Sequence, residues 1–537
     1  MKASRIFVAG AALFITLICW SLVFTVNSHR DEKYHMATIW CSANDNSLCK
    51  SLGFDQGSSE IFLITSDYCT PENIEETYKR ILVSRELGIC RFETKPNDTY
   101  SSSQINQLSN FFYETKEQIA SPIIESRRNS PYYETLGNFA SKNIEKSILS
   151  MRIFNGLLFS LLFICMMLIL SKRSQTSFTL CSLLVLVPYC FPIIVSINTS
   201  SWTAISGIFF WVFLLDTFLT PKKQFFRLGF KIGLSIFSAL LMIFGRSETA
   251  IFVIGIIVIL FFTILKKPPA KFGRKALIVI CLLMSLNYVL FLLAKKIPVI
   301  GSLLAFRPIA ILPRTQDLIG GFSSPWNFFL HLGLSLKRFV LLSPRLLGLE
   351  NPHWQPPGTP TVAFFATFCL FLAVLLLILR ERNSRVTSFI WSFSLFLFFL
   401  IFFYTISFTN LSSEPYFFYF RTNISGDSLH SRYLIPLFVF GTGITLFLSI
   451  GEKSELVKTK FLSSLVSIAI FTNYSCLFAS GKIFRENSSW FWKEIPIGLN
   501  TITLIGVLSF SIFALMMGNH LLFLNNANLT PADQDTR

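Results

Sequence analysis

The sequence predicts an all-α polytopic membrane protein of about twelve transmembrane helices. Hydrophobic residues make up 52 % of the 537. Uncharged runs close to the ~20 residues that cross ~30 Å of hydrocarbon recur along the chain. Lys and Arg gather in the short loops between alternate runs, as the positive-inside rule requires. Helices are the expected spanning form, because each segment then satisfies its own backbone groups in lipid. The formal charge of +17 is explained by these loop cations. No nucleic-acid module is present, and no nucleic-acid partner is expected.

Residues 1–26 read as a signal anchor. Lys2 and Arg5 precede the run Ile6 to Val26 and hold the N-terminus inside. The run is long and no A-x-A-like cleavage site follows, so it stays attached. Residues 27–148 are polar, lie outside by this topology, and are too many for a connector. They are expected to form a small extracytoplasmic cap. Within it Thr70, Pro71, Glu72, Glu75 and Glu76 open a helix that Gly88 closes. Gln104 to Ile119 is a second helical stretch, and a polar helix from Tyr132 to Arg152 leads into the second span.

Transmembrane helices 2–7 occupy residues 149–294. Ile153 to Leu170 ends at Lys172 and Arg173, and Phe178 to Ser196 returns outward. After the uncharged turn Asn198 to Trp202, Thr203 to Leu219 runs inward to Lys222, Lys223, Arg227 and Lys231. Ile232 to Phe244 and Thr249 to Leu265 are read as two spans joined by Gly245-Arg246-Ser247-Glu248, because cations stand at both far ends. Ala276 to Ala294 then runs outward. Residues 295–360 form a second outer loop with an interfacial helix at Trp326 to Leu342, interrupted by His331, Lys337 and Arg338. Residues 361–517 hold helices 8–12: Thr361 to Leu379, Val386 to Phe408, Tyr433 to Ile450, Phe461 to Ala479 and Ile497 to Met517. Residues 518–537 are a cytoplasmic tail, which leaves both termini inside a cell membrane.

Seven of the eleven cysteines lie in apolar runs and act as small hydrophobes: Cys19, Cys165, Cys181, Cys190, Cys281, Cys369 and Cys476. The other four share the first outer segment, an even number in an oxidising setting. Three pairings are open; the local one, Cys41–Cys49 with Cys69–Cys90, is favoured. A zinc site is disfavoured, since no CxxC pair is present.

Chemistry is expected at the outer surface. Asp31 and Glu32 follow the first span directly, where a partly desolvated carboxylate can serve as general base toward an acceptor hydroxyl. The plainer reading is that the pair marks the water side of the span. His35 is one helical turn from Asp31 and could hold phosphate or a divalent metal, or merely hydrogen-bond within the cap; no cofactor is otherwise implied. Arg246 interrupts two apolar runs, where an ionisable group is either functional or paired. It can grip a lipid phosphate, pair with Glu248, or snorkel to the surface. Arg432 and Tyr433 open a later span; they are phosphate and substrate contacts, or interfacial anchors. There is no P-loop, GxSxG or HExxH motif, which argues against an ATP-driven pump and the common hydrolases.

These pieces occur in a recognisable order. DEKYHMATIWC with spaced cysteines, PYYETLGNFA leading into SMRIF, SINTSSWTAISG, FGRSE and HSRYLIPL follow one another along the chain. Together they resemble the bacterial multi-pass proteins called domain of unknown function 2142, over roughly Ile6 to Ile450. That family looks related to the C-type (GT-C) glycosyltransferases. The resemblance implies a GT-C-like fold and an outer-face enzyme that transfers a sugar from a polyprenyl-phosphate donor to an envelope glycan or lipid. Asp31 and Glu32 match the acidic position such enzymes carry after their first span, although Lys33 replaces the small or proline-like residue expected next. The alternatives are a transporter or flippase of lipid-linked glycans, and a catalytically inactive membrane scaffold.

Overall fold

The computed structural model describes residues 3–24, 35, 39–40, 42, 49–54, 60–64, 130–141, 143–186, 190–221, 224–246, 249–264, 329, 332–336, 369–370, 372–378, 384–408, 434–450, 459–482 and 497–527. Its main helices are α1 (Ala3–Val23), α2 (Pro131–Gly137), α3 (Ile144–Ile169), α4 (Lys172–Val185), α5 (Phe191–Ile194), α6 (Ser200–Leu219), α7 (Phe225–Gly245), α8 (Ala250–Ile264), α9 (Ser384–Phe408), α10 (Ile435–Ser449), α11 (Thr459–Gly481) and α12 (Leu499–Ala527). Seven of these, α1, α3, α6, α7, α9, α11 and α12, are long and apolar enough to cross a membrane; α8 and α10 hold shorter apolar segments. The expected span Ala276 to Ala294 lies outside the described residues; of Thr361 to Leu379, residues 369–370 and 372–378 are described, and they are helical. Of the expected interfacial helix Trp326 to Leu342, Phe329 and residues 332–336 are described, and they are helical.

The order of contacts fixes the direction of each helix. Gly10 lies against Ile164 and Gly156 against Leu17, so α3 runs antiparallel to α1. Ser177 Oγ donates to the Gly443 carbonyl at 2.7 Å and Arg173 to that of Phe447 at 2.9 Å, so α4 and α10 are antiparallel. Gly207 meets Pro436 and Trp211 meets Gly443, so α6 and α10 run together. Gly207 is required here: a Cβ would fall 2.5 Å from the Pro436 side chain and 2.9 Å from its Cα. Leu477 and Cys19 meet at Gly506, and Val466 meets Gly518, which sets α12 antiparallel to both α1 and α11.

Three local readings change. The helix expected from Tyr132 to Arg152 is two helices: α2 stops at Gly137, and Asn143 caps α3 by accepting the N–H of Lys146 at 3.0 Å. Arg152 therefore stands inside α3 rather than before it. Of the single span expected from Phe178 to Ser196, the described residues hold α4 and the four-residue α5; Pro192 stands in the first turn of α5, where its missing N–H is not needed by the helical ladder. The first polar segment also contains β1 (Cys49–Phe54) and β2 (Glu60–Ile64), paired antiparallel with Cys49 opposite Ile64 and an irregularity between Ser51 and Gly53. The all-α reading thus applies to the membrane helices and misses this hairpin.

The core is mostly aromatic and aliphatic. Phe159, Phe163, Phe178 and Phe209 join α3, α4 and α6, and Phe191, Phe510 and Phe513 extend the packing to α12. At one end of the bundle lies a buried ion pair, Asp216 with Lys231 at 2.5 Å, between α6 and α7. Asp216 also accepts from Ser174 Oγ at 2.7 Å, Ser171 N at 3.1 Å and Ser171 Oγ. Arg227 Nε and Gln175 Nε2, each at 2.9 Å, cap the last carbonyls of α3 there, those of Ile169 and Met167.

Candidate functional site

The opposite end holds two of the side chains that the sequence marked, His35 and Arg246, among further buried polar and aromatic residues. α1 ends at Val23, and its last carbonyls lack intrahelical donors. Arg152, fully buried in α3, supplies them: its guanidinium donates to the Ser21 carbonyl at 3.3 Å and to that of Phe24. A cation at a helix C-terminus also opposes the negative end of the dipole.

The chain is fixed again at His35. Its Nδ1 is hydrogen-bonded to the Tyr133 hydroxyl at 2.8 Å, and the two rings stack with centroids 6.0 Å apart. Five residues later Trp40 Nε1 donates to the Ser141 carbonyl at 3.1 Å. Ser141 is held in turn by Ser147, whose Oγ accepts its N–H at 3.0 Å. Phe24, His35 and Trp40 are therefore three attachments of one stretch to the α2–α3 corner.

α2 links this corner to the start of α6. The rings of Tyr132 and Trp202 meet edge to face at 5.1 Å. Trp202 Nε1 donates to Asn155 Oδ1 at 3.1 Å, and Asn155 Nδ2 donates to the Ser196 carbonyl at 2.8 Å and to Ser201 Oγ at 3.3 Å. Asn155 thus meets both halves of its amide requirement while wholly buried.

α2 also reaches Arg246. Ser130, its N-cap, donates from Oγ to the Phe244 carbonyl at 2.9 Å. The next residue, Gly245, packs against the first turn of α6: a Cβ there would lie 2.8 Å from the Thr199 carbonyl oxygen and 3.0 Å from Thr203 Oγ1. Arg246 follows directly and is half-buried. Its N–H bonds to the Met242 carbonyl at 3.1 Å, and Thr249 Oγ1 caps the turn by donating to Arg246 and Met242 carbonyls at 2.6 and 2.8 Å.

Of the expected site residues, His35 and Arg246 stand at the same end of the bundle, connected through Tyr133, α2 and Ser130. Asp31, Glu32, Arg432 and Tyr433 lie outside the described residues. So do Cys41, Cys69 and Cys90, while only the backbone of Cys49 is described, as the first residue of β1. Arg432 and Tyr433 immediately precede Leu434, where α10 begins beside Gly207 of α6. Arg152, Asn155, Tyr133 and Trp202 were missed by sequence reasoning. A charge and an amide three residues apart at the head of an apolar run is the signal that could have found Arg152 and Asn155.

Alternating apolar helices, a cation capping a buried helix end and a polar layer at each end of the bundle define a multi-pass integral membrane protein. The chain belongs to the family of predicted membrane proteins DUF2142, which it matches over residues 14–440. No curated protein and no solved structure matches it at a significant level.

Proposed function

We propose that this protein is a membrane glycosyltransferase of GT-C type, transferring a sugar from a polyprenyl-phosphate donor to an envelope glycan or lipid at the outer face of the cell membrane. The observation that carries the reading is the shared location of His35 and Arg246, with the stretch bearing Asp31 and Glu32 tied down on both sides, at Phe24 and at His35. Asp31 or Glu32 is the general base toward the acceptor hydroxyl. Arg246 and Arg432 hold the donor phosphate, with His35 and Tyr433 beside it. A phosphate leaving group is already activated, so the protein needs chiefly orientation, one base and cations where charge develops.

The test is the paired substitution Asp31→Asn with Glu32→Gln. Cells carrying it are expected to lose one component of the envelope glycan profile. An unchanged profile, with the variant present in the membrane at the normal level, overturns the assignment.

A second reading, transport of a lipid-linked glycan, is favoured by the ion pair Asp216–Lys231 inside two candidate spans. Against it, Asp216 already has four donors, which suits a fixed clamp better than a transit site.

A further inference from the structure

Three elements at the His35 end of the bundle close into a frame, and one side chain completes it. Tyr132 of α2 meets Trp202 of α6 edge to face at 5.1 Å. Gly245, the last residue of α7, packs on Thr199 and Thr203 at the start of the same α6. The third side is the hydrogen bond from Ser130 Oγ, at the head of α2, to the Phe244 carbonyl of α7 at 2.9 Å. Each element thus touches the other two.

The two tethers on α2 stand one turn apart. Ser130 binds α7, and Tyr133, three residues on, is bonded to His35 at 2.8 Å. The N–H groups of Tyr133 and Glu134 both donate to the Ser130 carbonyl, at 2.9 and 3.1 Å, which closes the turn between the tethers. Pro131 opens the helix and pre-sets its backbone there. One helical turn rises about 5 Å. Residues 35 and 244 are therefore spaced by a single turn of a third segment.

The Ser130 side chain does not serve α2 itself. It makes no capping bond to the helix. Its hydroxyl goes instead to Phe244, among the last carbonyls of α7, which have no intrahelical donor. Removing the hydroxyl takes away one strut and leaves the two tethered segments their own bonds. His35 keeps Tyr133, and the turn after α7 keeps the two bonds from Thr249.

We propose that Ser130 is a positioning residue, which sets the separation between the stretch bearing Asp31 and Glu32 and the turn bearing Arg246. The catalytic use of that separation rests on the glycosyltransferase reading; the separation itself does not. Acceptor and donor each engage one half of the site, whereas transfer needs both halves in register. Loosening the strut therefore lowers kcat and leaves each KM near its original value.

The test uses the full chain in lipid nanodiscs, a polyprenyl-phosphate sugar donor, envelope acceptor extract, and the variants Ser130→Asp, Ser130→Ala and Ser130→Thr. Asp is a good N-cap residue, but its carboxylate cannot donate to a carbonyl, whereas Thr keeps the donor. Ser130→Asp and Ser130→Ala are expected to lower kcat about tenfold or more, with both apparent KM values within about twofold, as for a misplaced reacting group. Ser130→Thr is expected to retain the wild-type rate. A role in helix stability alone predicts that Ser130→Asp is as active as the wild type, and that result overturns the proposal, as does a fall confined to KM. A second readout is independent of activity. Spin-labelled non-canonical amino acids at His29 and Ser247 report the separation directly, and its distribution is expected to broaden in Ser130→Asp. An identical distribution overturns the proposal; if Ser130→Asp does not fold, Ser130→Ala is read in its place. If the wild-type protein transfers no sugar, the glycosyltransferase reading fails, and the distance distribution alone decides the role of Ser130.

Discussion

His35 and Tyr133 are 98 residues apart in sequence and joined by a 2.8 Å hydrogen bond between stacked rings. Through this contact the stretch after the first helix is held to α2, and α2 is held to the turn that carries Arg246. Tyr133→Phe keeps the stack and removes the bond. The expected loss is about 1 kcal/mol of stability. Hydrogen exchange in residues 35–42 should rise while exchange in α3 stays unchanged. Equal exchange in both proteins would show that the bond does not hold the stretch.

Arg152 is expected to be among the costliest positions to change. Its removal leaves the Ser21 and Phe24 carbonyls without their buried donor. Arg152→Met should lower stability by about 2–4 kcal/mol, from one or two unsatisfied buried groups at about 1–3 kcal/mol each. Arg152→Lys keeps the charge and loses the planar fork, so it should fall between the wild type and Arg152→Met. Thermal unfolding in detergent reads both.

The pair Asp216–Lys231 should behave as a clamp. Asp216→Asn leaves Lys231 charged in a site about 2 % exposed, and is expected to cost about 3–5 kcal/mol. The double substitution Asp216→Leu with Lys231→Met should recover most of that loss, which a double-mutant cycle measures. A transport role instead predicts a double variant that is stable and inactive.

Gly207 should tolerate no side chain, because Pro436 brings both its ring and its backbone to that face. Gly207→Ala forces α6 and α10 apart at a cost of about 1–3 kcal/mol. Gly233 has open space where a Cβ would be, so Gly233→Ala is expected to leave the melting temperature unchanged or slightly raised.

The helices were legible in the sequence because length, hydropathy and loop charge all act locally. The split at Gly245-Arg246 was read from charge parity, and the structure divides α7 from α8 there. The break before α3 was less visible: Tyr132 to Arg152 keeps helical character throughout, and the interruption depends on Asn143 capping a new helix. The hairpin escaped because its strands are five and six residues long and lie in a polar stretch without strict alternation. At the site, single charges such as Arg246 stood out against apolar neighbours. Partnerships such as Arg152 with Phe24, or Asn155 with Trp202, did not, since they join segments 128 and 47 residues apart and depend on helix packing.

Glycosyl transfer at the His35 end is tested most directly by incubating the reconstituted protein with radiolabelled polyprenyl-phosphate hexoses and pentoses and envelope acceptor extract. For one of these donors, the label should move to the acceptor as free polyprenyl phosphate appears, and Asp31→Asn with Glu32→Gln should abolish the transfer. Donors that all remain intact with the wild-type protein, or equal transfer by the double variant, would contradict it.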